Sequence, residues 1–378
     1  MIVKLDVRKI VVVGGHHTPA LAVIKSLQDE APKCSLRLHF FWIGHRFSMW
    51  ADRRDSAEYR DVKSLGLPFF DLQAGKFHNT LHPLKLARIP LGFLQAFLYL
   101  TIIRPQLVIS FGGYLAVPVV ISAWLIRVPV VTHEQTTVAG TASLLIAKFA
   151  RRIFVSFPTS IRFFPKGKTA LVGNPLRDEI FIDRGLFDLG HGKRTIYITG
   201  GKQGSHVINR FVGDNLERLL SYCNVIHQCG SSSVHDDYSI LSTLAQRLPT
   251  AVQGSYLLKD FFVPEEIGSV FARASVIVSR SGANTIYEIG ALGKPALLIP
   301  IPWSSHQEQL SNARFLAGGG AIVLEEQELN EERFFASLER IFSSYDQFKS
   351  RAQEFSKQFP RQASLAMAQE IISLLRGF

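Results

Sequence analysis

The segment Val-Ile-Val-Ser-Arg-Ser-Gly-Ala-Asn-Thr-Ile-Tyr-Glu, residues 276–288, decides how the rest of the chain is interpreted. Its apolar first residues indicate a buried strand, and Ser281-Gly282 indicates a turn into a helix. A helix that begins at such a turn presents unpaired backbone N–H groups and the positive end of its dipole, which suit a phosphate. Glu288 would repel that anion, but it could accept hydrogen bonds from vicinal hydroxyls. Alone, the segment is equally consistent with an ordinary strand–turn–helix that carries a surface glutamate.

The same strand-then-glycine pattern recurs at residues 11–16, 108–114 and 196–204. Each apolar run is uninterrupted, as is typical of parallel strands that helices cover on both faces. Ligands of open α/β sheets bind beyond the carboxyl ends of the strands, where these turns lie. Because each half of the chain contains two such turns, the pattern predicts an α/β protein of two doubly wound, Rossmann-like domains that face one another across a cleft.

The chain of 378 residues has a suitable length for two domains, which are roughly 100–200 residues each. The alternation of strands and helices ends near residue 170, and the Asn-Pro pair at 174–175 disfavours helix before it. We expect a first domain over residues 1–174 and a second over residues 175–360. A terminal helix at about residues 361–378 has apolar residues at helical spacing, so it is expected to pack back on the first domain.

The cysteines bear on compartment and metal binding. Cys34, Cys223 and Cys229 are scattered, which indicates a reducing compartment rather than a disulfide framework. His227 lies between the last two, but no second pair of ligands accompanies them. A buried strand is therefore favoured over a metal site. Charged residues interrupt the first ten positions, so no secretory signal peptide is predicted.

Positive charge is concentrated in the first half of the chain. Residues 1–174 carry 22 Lys and Arg against 9 Asp and Glu, a net charge of +13, whereas the whole chain carries +11. The apolar run at residues 91–103 lies in this half and is too short to span a bilayer, which takes about 20 residues. It is either a buried core helix or an apolar face that dips into anionic lipid beside the cations. Nucleic acid is not an expected partner, because no binding motif accompanies the charge.

The motifs together resemble those of the MurG family of peptidoglycan glycosyltransferases, which has the two-domain GT-B fold and forms part of glycosyltransferase family 28. In the first half and the hinge they are Gly14-Gly15-His16, Pro19-Ala20-Leu21-Ala22, Phe111-Gly112-Gly113-Tyr114, His133-Glu134-Gln135 with Ala139-Gly140, and Gly173-Asn174-Pro175 with Arg177. In the second half they are Thr199-Gly200-Gly201 with Gln203-Gly204, His227-Gln228, Arg280-Ser281-Gly282-Ala283 with Thr285 and Glu288, Gln309, and Asn312-Ala313. Each glycine pair alone is a weak signal, but the shared order of so many motifs over nearly the whole chain is specific.

The resemblance implies an enzyme that moves N-acetylglucosamine from UDP-N-acetylglucosamine to a lipid-linked muramyl-pentapeptide. The donor would bind the second domain, with Glu288 on the ribose and Arg177 beside the diphosphate. The other implied donor contacts are Lys202 and Gln203 in a glycine turn, Phe262 and Val263 near the uracil, the turn of Ser281, Gly282, Ala283, Asn284 and Thr285, and Gln309 on the transferred sugar. No metal or other cofactor is implied, because helix N-termini and a cation serve the diphosphate.

The resemblance also implies that the acceptor, a polyprenyl-pyrophosphate-linked muramyl-peptide, binds the first domain. His16 matches the family's histidine and would act as general base toward the C4 hydroxyl, with inversion at the anomeric carbon. His17 could take that role instead, and a structural or anion-binding histidine is a third interpretation. The residues implied around the acceptor are Gly14, Gly15, His17, Tyr114, Glu134 and Thr136. The enzyme would be a peripheral protein of an anionic membrane, at the cytoplasmic face of the cell membrane.

Four departures from the family pattern concern these residues. One is an extra residue in each of the loops around 262–266 and 302–306, near Val263 and Gln307. The first glycine loop is shortened to Gly14-Gly15-His16, which leaves fewer backbone amides for the acceptor diphosphate. Lys202 stands where the family usually has serine, and its ammonium could take over part of the phosphate binding. Thr136 replaces the asparagine that usually follows His-Glu-Gln.

Other functions are open on the sequence alone. A related glycosyltransferase with a different lipid acceptor fits the shortened first loop, since acceptor loops change when acceptors change. A UDP-sugar 2-epimerase shares the fold, but it does not need a basic, apolar face. A scaffold that binds nucleotide or lipid without turnover is a further alternative. A nicotinamide dehydrogenase is disfavoured, because the first turn lacks Gly-x-Gly-x-x-Gly and no acidic residue ends the second strand.

Overall fold

A computed structural model describes residues 6–47, 55–75, 83–190, 192–232, 234–304 and 307–377. The chain divides into two compact units. Unit 1 consists of Met1–Leu176 and Pro360–Phe378, and unit 2 consists of Arg177–Phe359. Each unit contains one sheet, and the named strands pair only in parallel. The predicted fold class, two doubly wound α/β domains, is confirmed.

Unit 1 has a seven-stranded sheet. Its elements are β1 Asp6–Val13, α1 His17–Glu30, β2 Leu36–Gly44, α2 Ala57–Ser64, β3 Phe69–Asp71, α3 Pro83–Ile103, β4 Leu107–Ser110, α4 Ala116–Leu125, β5 Val130–Glu134, α5 Thr141–Phe149, β6 Arg152–Val155, β7 Thr169–Leu171 and, from the end of the chain, α15 Ala363–Arg376. The strand order is β3-β2-β1-β4-β5-β6-β7.

Alternate residues of β1 supply two cores on opposite faces of this sheet. Ile10 and Val12 join the core that contains residues of α1 and α15, whereas Val11 and Val13 join the core that contains residues of α3 and α4. A strand covered on both faces must be apolar at every position, which explains why residues 10–13 of β1 and 107–109 of β4 appear as continuous apolar runs in the sequence. The terminal helix belongs to this unit and contacts α1.

Unit 2 has a six-stranded sheet. Its elements are β8 Thr195–Thr199, α6 His206–Asp214, α7 Leu216–Tyr222, β9 Asn224–Gln228, α8 Asp237–Gln246, α9 Thr250–Gln253, β10 Tyr256–Lys259, α10 Pro264–Arg273, β11 Val276–Ser279, α11 Ala283–Leu292, β12 Ala296–Leu298, α12 Glu308–Ala317, β13 Ala321–Val323, α13 Glu331–Ser343 and α14 Tyr345–Ser356. The strand order is β10-β9-β8-β11-β12-β13. The fully buried β9 contains His227, as the sequence predicts.

Each strand order reverses direction once, and a reversal leaves a crevice at the carboxyl ends of the two central strands. In unit 1 these strands are β1 and β4, and in unit 2 they are β8 and β11. The four strand-then-glycine turns found in the sequence follow these four strands. The topology therefore brings the turns together in pairs, one pair in each unit.

The apolar run at residues 91–103 lies within α3. One face of the helix is core, because Ala96, Leu100 and Ile103 are buried. The other face is open, with Leu94 57% exposed and Ile102 70% exposed. The core interpretation therefore holds for one face of the helix, and the exposed face leaves the lipid interpretation as a prediction. In the described part of the chain, no helix has both the length and the apolar character needed to cross a bilayer.

Candidate active site

The turn between β11 and α11 in unit 2 has the geometry of an anion site. Gly282 is the N-cap residue of α11 and has an extended conformation. Because glycine has no side chain, it provides no capping hydrogen-bond acceptor to the first backbone N–H groups of the helix. Ser281 and Ala283 are buried, whereas Gly282, Asn284 and Thr285 are partly exposed. The amides and the dipole of a ten-residue helix can thus meet an anionic ligand at this turn.

Gln309 holds this turn in place. Its Oε1 accepts hydrogen bonds from the backbone N–H of Ser281 at 3.3 Å and of Ile301 at 3.1 Å, while its backbone oxygen accepts from the Ser281 hydroxyl at 2.7 Å. Asn312 donates to the Ser281 carbonyl at 3.1 Å. The carboxamide oxygen of Gln309 is committed to the turn, so a contact with a transferred sugar would fall to its amide nitrogen.

Glu288 and Arg177 form an ion pair in unit 2. Nε of Arg177 lies 3.4 Å from Oε1 of Glu288, and the two side chains are 26% and 12% exposed. Burial raises the pKa of Glu288, while the charge of Arg177 and a hydrogen bond from it act in the opposite direction. The carboxylate therefore has a cation beside it at the inner end of the candidate site.

Tyr197 also belongs to this centre, although it was not among the predicted residues. Burial raises the pKa of its hydroxyl, and the charges of Glu288 and Arg177 both act on it. Nothing local in the strand sequence marks Tyr197 as a site residue. Only the pairing of β8 with β11 brings it near α11.

The glycine turn after β8 is shaped by close backbone contacts. A Cβ on Gly200 would lie 2.2 Å from the backbone nitrogen of Ser205, and one on Gly204 would lie 1.9 Å from the Cys229 carbonyl oxygen. Between them, Lys202 is half-buried and Gln203 is exposed. The Lys202 ammonium lies 5.5 Å from the centre of the Phe261 ring.

Arg280 ties the two turns of unit 2 together. Its buried guanidinium donates to the Ser205 hydroxyl from Nη2 at 2.7 Å and from Nε at 3.1 Å, and to the Ile299 carbonyl at 3.1 Å. It also pairs with Glu326. Ser205 caps α6, so Arg280 joins the end of β11 to the start of that helix. Its neighbours in the motif were predicted as site residues, but this connecting role was not.

The segment after β10 contributes Phe262 and Val263. Phe262 is fully buried, and its ring packs edge-on against Tyr197 and Phe187. Val263 is 45% exposed and precedes the first residue of α10. The Val263 N–H donates to Glu266, which fixes the backbone of this segment.

In unit 1 the turns after β1 and β4 pack against one another. Gly14 has a φ of +146°, and a Cβ there would lie 2.8–2.9 Å from the Phe111 backbone. A Cβ on Gly113 would lie 3.3 Å from the backbone nitrogen of Gly15. Side chains larger than hydrogen would push these turns apart, so the glycines place His16 beside the β4 turn.

His16 is the exposed N-cap residue of α1. Protein atoms crowd its ring, and this partial desolvation lowers the pKa of His16; a hydrogen bond with the Phe111 backbone raises it, and the neighbouring His17 lowers it. The net direction is downward, so the neutral imidazole predominates at pH 7. A neutral, exposed imidazole can accept a proton.

Two carboxylates of α2 that the sequence did not point to act on His17 and Tyr114. Nε2 of His17 lies 2.9 Å from Asp61. Burial raises the pKa of Tyr114, and the charge of Glu58 raises it further. Glu58 accepts a hydrogen bond from the Trp42 indole at 2.6 Å. No local pattern marks either α2 carboxylate, because their partners lie far away in sequence.

Glu134 is buried and bonded within its own loop. Its Oε1 accepts from the Thr136 backbone N–H at 3.0 Å and from the Thr136 hydroxyl at 2.8 Å. Burial raises the pKa of Glu134, and hydrogen bonds from Ser143 and Thr136 lower it. Thr136, which stands in the place of the family's asparagine, therefore organises the Glu134 loop in this chain.

The structure groups the predicted donor residues within unit 2 and the predicted acceptor residues within unit 1. Among the residues described, no group of three or more His, Cys, Asp or Glu side chains could hold a metal ion. Backbone amides, Lys202 and Arg177 are the groups of the described part of unit 2 that we predict to meet an anion.

Comparison with known protein families gives matches to both units. Residues 13–155 match the N-terminal domain of glycosyltransferase family 28, and residues 195–366 match its C-terminal domain. These two matches span most of the chain.

Curated relatives are similar over nearly their whole length. A protein of Clostridium botulinum (strain Alaska E43 / Type E3) is 34% identical over 345 residues, with 88% of each chain covered. One of Clostridium tetani (strain Massachusetts / E88) is 29% identical over 358 residues, with 90% of this chain and 92% of that protein covered. Both are named UDP-N-acetylglucosamine--N-acetylmuramyl-(pentapeptide) pyrophosphoryl-undecaprenol N-acetylglucosamine transferase.

Solved structures share the fold. MurG of Acinetobacter baumannii superimposes with a TM-score of 0.69 at 23% identity, covering 98% of this chain and all of that one. The UDP-GlcNAc 2-epimerase of Neisseria meningitidis, bound to UDP-GlcNAc, superimposes with a TM-score of 0.64 at 12% identity, covering 97% and 99%. Because a transferase and an epimerase fit about equally well, the fold alone does not choose between these activities.

Proposed function

Because the chain belongs to glycosyltransferase family 28, we propose that it transfers N-acetylglucosamine from UDP-N-acetylglucosamine to the C4 hydroxyl of N-acetylmuramyl-pentapeptide-pyrophosphoryl-undecaprenol. This reaction converts lipid I to lipid II in peptidoglycan synthesis, and the names of the curated relatives support it. The observation that carries the proposal is the ion pair between Arg177 and Glu288, a residue of the helix that follows Ser281-Gly282. The helix thus provides an acceptor for hydroxyls and backbone amides for a diphosphate, and Arg177 provides a cation beside them.

The donor half of the reaction follows from unit 2. Glu288 accepts hydrogen bonds from the two ribose hydroxyls, and the backbone amides that follow Gly282 donate hydrogen bonds to the diphosphate. Arg177 offsets the negative charge that builds on the leaving UDP, a role in which a fixed cation stabilises the transition state without reorganisation. Lys202 adds charge at the neighbouring turn. The nucleobase lies against the backbone of Phe262 and Val263.

The acceptor half follows from unit 1. His16, neutral at pH 7, accepts the proton of the C4 hydroxyl as that oxygen attacks the anomeric carbon. Attack on the face opposite the UDP inverts the anomeric configuration. Tyr114 and the loop of Glu134 and Thr136 line the acceptor pocket.

The acceptor is anchored in a membrane, and unit 1 has a suitable surface for that membrane. The exposed apolar residues of three neighbouring helices form a surface that we call the apolar face: Leu91, Leu94, Phe97, Leu98 and Ile102 of α3, Trp124 and Leu125 of α4, and Leu144 and Leu145 of α5. Together with the positive charge of this half of the chain, it favours an anionic bilayer. We place the enzyme at the cytoplasmic face of the cell membrane as a peripheral protein.

Two other activities give different products. A related transferase with another lipid acceptor is favoured by the shortened first glycine turn. A 2-epimerase is favoured by the shared fold. The epimerase would convert UDP-N-acetylglucosamine to its 2-epimer with no lipid present, whereas the other transferase would release UDP only with its own acceptor.

The test is transfer by the purified full-length chain. Labelled UDP-N-acetylglucosamine is mixed with a short-chain lipid-linked muramyl-pentapeptide, and both released UDP and labelled lipid are measured. Equal amounts of the two are expected. Glu288→Gln keeps the shape of the side chain but removes its charge, and we expect kcat/KM to fall about a hundredfold.

Glu370→Gln is the matched control, since Glu370 is a half-buried carboxylate that pairs with Arg152 in unit 1. It should retain the parent rate. The proposal fails if the parent releases no UDP with this acceptor, or if Glu288→Gln turns over like the parent.

A further inference from the structure

Gln228 is a motif residue to which the proposed reaction gives no task. It is the last residue of β9, in register with Thr199 at the end of β8 and Lys259 at the end of β10. Its side chain lies at the carboxyl edge of the sheet in unit 2, the edge that carries the donor turns. Only 5% of the residue is exposed.

The carboxamide of Gln228 uses all of its hydrogen-bonding capacity. Its Oε1 accepts from the backbone N–H of Phe262 at 3.2 Å and from the Tyr197 hydroxyl at 3.4 Å. Its Nε2 donates to the Gly201 carbonyl at 3.1 Å and to the Thr199 hydroxyl at 3.3 Å. A carboxamide has two lone pairs on oxygen and two N–H donors, so each of the four positions has a partner.

These partners belong to different parts of the donor site. Phe262 begins the segment assigned to the nucleobase, and Gly201 lies in the glycine turn assigned to the diphosphate. Tyr197 lies under the electrostatic influence of Glu288 and Arg177. One buried side chain therefore connects the nucleobase segment with the phosphate turn.

We infer that Gln228 is a positioning residue that sets the spacing between the nucleobase and diphosphate subsites of unit 2. This inference rests on the proposed donor site. The Gln228 side chain acts through its hydrogen bonds with Phe262 and Gly201 and does not contact the nucleotide.

The spacing of the subsites matters because a nucleoside diphosphate binds at its nucleobase and at its diphosphate simultaneously. A nucleoside diphosphate gains affinity from both ends at once only when the two subsites are already at the right separation. The Gly201 turn has a φ of +86°, a region that glycine enters freely, so its own backbone does not fix it. The hydrogen bond from Gln228 to the Gly201 carbonyl restricts the backbone of the diphosphate turn. The hydrogen bond from the Phe262 N–H to Gln228 restricts the backbone of the nucleobase segment.

The test compares two buried carboxamides of one strand. Gln228→Met removes the four bonds at the carboxyl edge. Asn224→Leu is the matched control, since Asn224 is 2% exposed and donates to the carbonyls of Leu189 and Gly190 at the opposite end of β9. Both variants should lower the melting temperature, because both lose buried hydrogen bonds.

Ligand affinity separates the two variants. UDP binding is measured by calorimetry and uridine binding by NMR titration. For Gln228→Met we expect UDP to bind about tenfold more weakly and uridine to lose less than about threefold, with KM for UDP-N-acetylglucosamine raised and kcat nearly unchanged. For Asn224→Leu we expect both affinities to match the parent. Gln228→Glu is the second variant, to be used if the Met variant does not fold. Its carboxylate still accepts a hydrogen bond from Phe262 but cannot donate one to Gly201, so we again expect a larger loss of affinity for UDP than for uridine.

Equal UDP affinity in Gln228→Met and the parent overturns the inference, and so do equal losses for UDP and uridine. A parent protein that binds no UDP overturns the proposed function as well. Normal UDP binding by the parent, with no selective loss in the variant, overturns the positioning role alone.

Discussion

Burial and ionisation conflict at Glu58 of α2. Burial is the largest influence on its carboxyl and raises its pKa to about 7, while the hydrogen bond from Trp42 and the charge of His45 act to lower it. The ordinary value for this carboxyl is 4.5. Between pH 4.5 and 7 the folded protein therefore keeps a proton that the unfolded chain releases, so stability from this residue falls as pH rises through that range.

We expect Glu58→Gln to stabilise unit 1 at neutral and alkaline pH. The amide oxygen can still accept from Trp42, but the variant does not have to bury a charge. The gain in the free energy of unfolding should be near zero below pH 4.5, grow towards pH 7 and level off above it at about 1–3 kcal/mol. Urea unfolding of the two proteins at pH 4, 6 and 8 measures this. A gain that is constant over the three pH values would contradict the assignment.

The sequence predicted candidate site residues where a motif carries them and did not predict residues whose partners are distant in the chain. Gly282 and Glu288 were predicted because the strand, the turn and the helix are contiguous. Asp61 was not, because its contact with His17 spans 44 residues. The motif also named Gln309, but its commitment to the backbone of Ser281 and Ile301 depends on the packing of α12 against the β11 turn.

At the scale of elements, α3 serves two environments. Its buried face packs in the core on one side of the unit 1 sheet, and its other face is part of the apolar face. The sequence could not decide between these roles, because a run that is apolar all round gives no helical periodicity. The contacts of α3 with α4 determine which side is covered.

The exposed side of α3 can be tested without disturbing its core side. Leu94→Glu with Leu98→Glu places two carboxylates on residues that are 57% and 47% exposed. We expect binding to vesicles that contain anionic phospholipid to weaken about tenfold or more, because apolar burial is lost and like charges repel. The melting temperature should change little.

Ile240→Glu is the matched control, since Ile240 is an exposed apolar residue of α8 in unit 2. Vesicle sedimentation at low and high salt measures lipid binding by the parent, the double variant and the Ile240→Glu control. Equal binding by the double variant and the parent would show that α3 does not contact lipid.

At the scale of the whole molecule, the sequence predicted the fold class because fully covered parallel strands are continuous apolar runs. It could not provide the strand order, which depends on pairings between segments far apart in the chain, such as β1 with β4. The division into units also has a spatial cause. Met367, Ile371 and Leu375 of α15 are buried in the same core as α1.

We expect unit 2 to fold without unit 1. A fragment of residues 177–359 should unfold cooperatively and bind UDP with the affinity of the full chain, because the residues proposed for the donor lie within it. A fragment of residues 1–359 should lose the unit 1 transition in calorimetry, since several buried side chains worth about 1.5–3 kcal/mol each are removed from that core. A 177–359 fragment that is unfolded or fails to bind UDP would contradict this.

The return of the chain to unit 1 has a consequence for biosynthesis. A ribosome must complete the 183 residues of unit 2 before it releases the helix that covers α1. At ordinary elongation rates this takes about 10–40 s, during which the nascent N-terminal half has an uncovered apolar stripe. The more basic half of the polypeptide is thus the first to be made and the last to mature, and its exposure to aggregation lasts longer than that of a domain encoded without interruption.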